Sequence, residues 1–82
     1  MNSQAVSEAI RNIRTAIDGA PRNRYTVELH AQMIKHADTL HNITGKEFCE
    51  MMKLKPAWGI EFNKMRNIAD RLRNAGLHFD QI

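Results

Sequence analysis

The chain has 82 residues, 43% of them hydrophobic and 26% charged, which leaves room for one modest core. A formal charge of +3 favours a polyanionic partner without demanding one, since many small proteins are mildly basic. The single cysteine rules out an internal disulfide and fits a reducing compartment. No stretch is long and apolar enough for a membrane span, and the start MNSQAVSEAI lacks the basic region of a signal peptide, so a cytoplasmic location is expected.

An all-α fold is expected: one compact four-helix domain over residues 1–82, with helices at about 3–18, 27–41, 45–53 and 57–75. In the first helix Val6, Ile10, Ile13 and Ile17 recur at helical spacing and make one narrow apolar stripe behind Ser3 as N-cap. Gly19 and Pro21 close it. The connector GAPRNR carries Arg22 and Arg24, auxiliary candidates for phosphate contact that suit a solvated loop equally well.

The second helix is expected from Val27 to His41 behind Thr26 as N-cap. Leu29, Met33, Ala37 and Leu40 form its stripe, and Val27 and Ile34 widen it, as for a helix with more than one neighbour. His30, His36 and His41 lack the one-turn spacing of metal ligands on a helix. At ~1.5 Å per residue His30 and His41 stand about 16 Å apart, too far to share an ion. They read as hydrogen-bonded side chains at the core edge, and neither a metal nor a cofactor is expected.

The third helix carries the sharpest local signal. Thr44-Gly45-Lys46-Glu47 fits the T-x-x-E capping box, with Ile43 and Phe48 at the staple positions. Phe48, Cys49 and Met52 share its apolar arc, so Cys49 reads as packing rather than as a nucleophile. Pro56 separates this helix from the next, and Gly59 is a second weak point that either breaks the fourth helix or sits at its start. From there Trp58, Phe62, Met65, Ile68, Ala69 and Leu72 share one face, and Gly76 suits the left-handed closing position.

The opposite face of the long helix gathers Asn63, Arg66, Asn67, Asp70 and Asn74, with Lys64 and Arg71 along one side and Arg73 beside Arg66. Arginine and asparagine suit bidentate contacts with guanine and adenine edges, and flanking Lys and Arg suit phosphates. A plain solvated face has the same composition. Replacing Arg66 and Asn67 together with alanine is expected to leave folding intact and to weaken specific DNA binding. The tail LHFDQI is expected to fold back on the bundle, with pairing to a second subunit as the other possibility.

From Thr44 to Leu77 the chain resembles the helix-turn-helix core of small bacterial DNA-binding proteins. TGKEFCEMMKLKP followed by an amphipathic helix ending RLRNAGL is similar to winged-helix regulators, and to small HTH-like proteins of bacteria and their mobile elements. The span from Leu54 to Gly76 is longer than a usual recognition helix, and no wing follows the closing glycine. The resemblance implies that Lys55, Trp58, Asn63, Arg66 and Asn67 enter the major groove near the start of the long helix.

The function implied is that of a DNA-binding protein, a small transcriptional regulator acting as a homodimer on two half-sites. The alternative is a protein-interaction module, such as an anti-repressor or an inhibitor from a mobile element, using surface Met33, Met51 or Trp58. No carboxylate pair, Ser/His/Asp set or ligand cluster has a spacing that needs chemistry to explain it, so no enzyme and no catalytic residue is expected.

Overall fold

The computed structural model describes residues 3–82, and the side chains of Gln81 and of Ser3, the expected first cap, lie outside the described residues. The elements in chain order are α1 (Ser3–Asp18), α2 (Tyr25–Lys35), α3 (Gly45–Met52) and α4 (Trp58–Asn74). Short 3-10 turns precede α2 at Arg22–Arg24 and end the chain at Phe79–Gln81. The fold is all-α with four helices, as expected, and no strand occurs among the described residues. None of these helices is long and apolar enough to cross a membrane.

Each helix gives its stripe to one core. Ala9, Ile13 and Ile17 come from α1, Leu29 and Met33 from α2, Phe48 and Met52 from α3, and Phe62 from α4, all buried. Phe48 and Phe62 stack face to face, with ring centroids 4.2 Å apart and planes 7° from parallel. Each side chain of this size contributes about 1.5–3 kcal/mol when fully withdrawn from water.

The second helix departs from expectation at both ends. It starts at Tyr25 without a side-chain cap, because the turn Arg22–Arg24 feeds straight into it and Tyr25 packs edge-on against Trp58 at 6.3 Å. It stops at Lys35, and residues 36–42 run through successive turns instead of continuing to His41. Ala37 and Leu40 nevertheless remain buried through those turns. Inward apolar spacing therefore persists after the continuous helix has ended, helped by an isolated helical bond from the Leu40 N–H to the His36 carbonyl at 3.0 Å. Val27 does not widen the stripe: it is 55% exposed.

The capping box of α3 forms as the residues suggest. The Glu47 N–H donates to Thr44 Oγ1 at 3.0 Å, and the Thr44 N–H donates to Glu47 Oε1 at 2.8 Å. The helix closes one residue early, with Lys53 left-handed at φ 58°, ψ 46°. The Leu54 N–H donates to the Cys49 carbonyl at 2.9 Å and the Lys53 N–H to the Glu50 carbonyl at 3.3 Å, the paired bonds of a Schellman ending. A left-handed residue with a Cβ is disfavoured by about 1–2 kcal/mol. Lys53→Gly is therefore expected to stabilise the fold by about 1 kcal/mol, after the loss of unfolded-state stiffness is subtracted. Thermal melting checks this: a midpoint no higher than that of the parent chain would contradict it.

The fourth helix starts at Trp58, and Gly59 sits unbroken within its first turn. It ends as expected on Gly76 at φ 98°, with the Leu77 N–H bonded to the Leu72 carbonyl and the Gly76 N–H to that of Arg73, both at 3.0 Å. Ile68 departs from the expected inner face and is 43% exposed, because that face centres on Phe62 and Ala69. The tail folds back as expected: its 3-10 turn lies beside α2, and Phe79 sits under the Arg73 guanidinium at 5.2 Å.

Candidate nucleic-acid interface

Two glycines set the geometry of the α3–turn–α4 pair. Gly45 opens α3, Gly59 lies in the first turn of α4, and their backbones touch. A Cβ built on Gly45 would stand 2.7 Å from the Gly59 carbonyl oxygen, and one on Gly59 would stand 3.2 Å from the Gly45 carbonyl carbon. The turn between the helices is held from two sides. Arg14 of α1 donates to the Met52 carbonyl, and the Cys49 thiol lies 3.9 Å from the Pro56 carbonyl oxygen. Burial pushes the Cys49 thiol up in pKa, against a bond from the Gly59 backbone, and Glu50 adds to the rise; the side chain is buried among the α3 core residues.

Arg66, expected to read a base, has another task. Its guanidinium lies over the Phe62 ring at 4.3 Å. Nη1 donates to the carbonyls of Leu40 at 3.1 Å, His41 at 3.2 Å and Ile43 at 2.6 Å, and Nη2 donates to Asn63 Oδ1 at 2.8 Å. These carbonyls lie beyond the end of α2, where only that of Leu40 has a backbone donor, the Ile43 N–H at 3.3 Å, so a side chain from α4 supplies the rest. Partial burial lowers the Arg66 pKa from its ordinary value. Trp58 is likewise not free: it is half-buried at the core rim, edge-on to Tyr25 and to His30 at 6.0 Å. Asn63 is exposed, but its carbonyl already accepts from Arg66. Arg73 is paired with Asp70 at 3.0 Å and with Asp38.

The outward ridge of α4 is Ile60, Lys64, Asn67 and Arg71, one side chain per turn and all exposed. Three of these were expected at the site. Ile60 was missed, although an apolar residue set opposite Phe62 and Ala69 in the helical register was a readable signal. Lys55 is exposed in the turn before α4.

The model of the HTH-like domain family matches residues 5–75. The chain belongs to this family. No curated protein and no solved structure matches it. The match takes in α1 and α2, well beyond the stretch from Thr44 to Leu77 that carried the resemblance in the sequence.

In this HTH-like domain the carboxylates nearest the ridge are turned to its sides. Glu61 lies 3.1 Å from His30 Nε2 and 3.5 Å from Lys64 Nζ, while Asp70 faces Arg73. Arg22 and Arg24 are exposed in the turn leading into α2, and the Tyr25–Trp58 contact brings that end of α2 to the start of α4. The histidines stand apart. His30 bonds Glu61 at the core edge, as expected, but His41 is exposed and bonded to the Asp38 carbonyl at 2.8 Å. Burial, then neighbouring Lys35, lowers the pKa of His36. Among the described residues no three His, Cys, Asp or Glu side chains converge as metal ligands.

Proposed function

We propose that this HTH-like domain binds double-stranded DNA by laying α4 in the major groove, and that it serves as a small transcriptional regulator. The observation that carries the reading is the outward ridge. Lys64, Asn67 and Arg71 project there with no carboxylate among them, on a helix whose inner face is fixed by packing and by Arg66. At ~1.5 Å per residue the ridge from Ile60 to Arg71 is about 16 Å long. That spans roughly five base-pair steps of ~3.4 Å, the reach of one half-site. Asn67 suits an adenine edge, and Lys64, Arg71, Lys55, Arg22 and Arg24 suit phosphates. A unit this small offers a limited interface, so two copies on paired half-sites complete the proposal.

The test is binding of the purified protein to random genomic fragments over a salt series, with molecular mass measured in parallel. Affinity that falls steeply with salt and selects a recurrent sequence supports the reading. Asn67→Ala is expected to relax specificity at one position by about 1–3 kcal/mol, whereas Lys64→Ala and Arg71→Ala each weaken binding to all sequences and lower the salt slope by about one. A folded protein that binds no fragment at low salt removes the DNA reading.

A second reading, a protein-interaction module, draws support from Met51, which is 41% exposed, and from the groove between α3 and α4 lined by Leu54, Pro56 and Ile60. Met33, offered for that role by the sequence, is fully buried and plays no part in it.

A further inference from the structure

The ridge proposed to face DNA holds one residue that neither phosphate binding nor hydrogen-bonded base readout accounts for. Ile60 is 62% exposed, more than any other large apolar side chain among the described residues. It lies in the first turn of α4, the end of a recognition helix that comes nearest the base edges when the helix enters a groove. We infer that Ile60 is a specificity-determining residue whose side chain contacts the C5 methyl group of a thymine in the major groove.

This inference rests on the DNA reading above and deepens it. Of the groups displayed in the major groove, the thymine methyl is the apolar one. Ile60 is suited to it in three respects. Its β-branched side chain has essentially one helical rotamer, so little freedom is lost on contact. Leu54 and Pro56 line the groove beside it, giving the methyl group an apolar floor rather than a single atom. Glu61, the adjacent carboxylate, is engaged by His30 at 3.1 Å and by Lys64 at 3.5 Å, so its charge is offset rather than left open beside Ile60. Lys64 one turn on supplies the positive charge that brings the backbone close.

The experiment starts from a randomised duplex pool enriched on the wild-type protein. Each thymine of the enriched duplex is then replaced by uracil, which differs only in lacking the methyl group. Wild type is expected to lose about fourfold in affinity at one thymine per half-site, the worth of one buried methyl group. Ile60→Ala is expected to bind the thymine duplex about fourfold more weakly and to show no further loss with uracil. Ile68→Ala, also exposed on α4 but off the ridge, is expected to keep the full uracil sensitivity, and circular dichroism confirms that both variants fold. Uracil sensitivity that is absent from wild type, or equal in wild type and Ile60→Ala, overturns this inference and leaves the DNA reading standing. An enriched duplex without thymine does the same. A folded protein that enriches no duplex overturns both.

Discussion

Arg66→Ala is expected to destabilise the fold by about 2–3 kcal/mol and to lower the melting temperature by roughly 10–20 °C. The replacement removes three charge-assisted hydrogen bonds to the carbonyls of Leu40, His41 and Ile43, together with the stacking of the guanidinium on Phe62. The Leu40 residue is fully buried, so water reaches that part of the turn poorly. Leaving the part-buried Ile43 carbonyl without this donor adds about 1–3 kcal/mol to the loss of the bond itself, tempered because the Leu40 carbonyl keeps the Ile43 N–H at 3.3 Å and the His41 carbonyl is exposed. Arg66→Lys is expected to recover only part of the stability, since an ammonium has no second nitrogen for Asn63 Oδ1 and no plane to lie flat on the Phe62 ring. Asn67→Ala, one residue along and exposed, is the control and is expected to melt like the parent. The hydrogen bonds of Arg66 thus divide the expectation that Arg66 and Asn67 together tolerate alanine: tolerance is expected at Asn67 and not at Arg66. Thermal melting of the three variants decides the matter. An Arg66→Ala protein that melts with the parent and loses only DNA affinity would return Arg66 to the reading face.

Gly45→Ala is expected to destabilise by about 2 kcal/mol, the range of an overpacked contact. The added Cβ would stand 2.7 Å from a backbone oxygen that belongs to another helix and cannot rotate away. The gain in helix propensity from glycine to alanine, about 1 kcal/mol, offsets part of the clash. Gly45→Val adds bulk at the same point and is expected to be worse. Gly59→Ala meets the same contact from the other side at 3.2 Å, where a few tenths of an ångström suffice, and its propensity gain brings it close to neutral. Urea unfolding of the set gives the comparison: a Gly45→Ala midpoint at or above that of Gly59→Ala would show that the helices separate freely at this crossing.

What the sequence made legible was local. Thr44 and Glu47 cap each other within one turn, Gly76 closes α4 within one turn, and Ile13 and Ile17 fall on the buried side of α1 by spacing alone. The end of α2 was not legible, because Ala37 and Leu40 keep turning inward after the helix has stopped. The bond from Arg66 to the Ile43 carbonyl was not legible, because an arginine on a polar helix face looks the same whether its partner is a nucleic acid or a backbone turn 23 residues upstream. Trp58 could be assigned to the core or to a groove by residue type, and only its contacts with Tyr25 and His30 place it at the core rim. Ile60 fell between the two faces as they were first drawn, since it belongs neither to the apolar set from Trp58 to Leu72 nor to the polar set from Asn63 to Asn74.

The acceptors that Arg66 engages in residues 40–43 are main-chain oxygens, which every amino acid carries, proline included. Side chains in that segment are therefore free, as far as this contact goes, to drift in identity provided the path of the chain is kept. Across this contact the constraint falls on the arginine alone: no position in residues 40–43 would change in step with it, and the side chains it touches, Phe62 and Asn63, lie on its own helix.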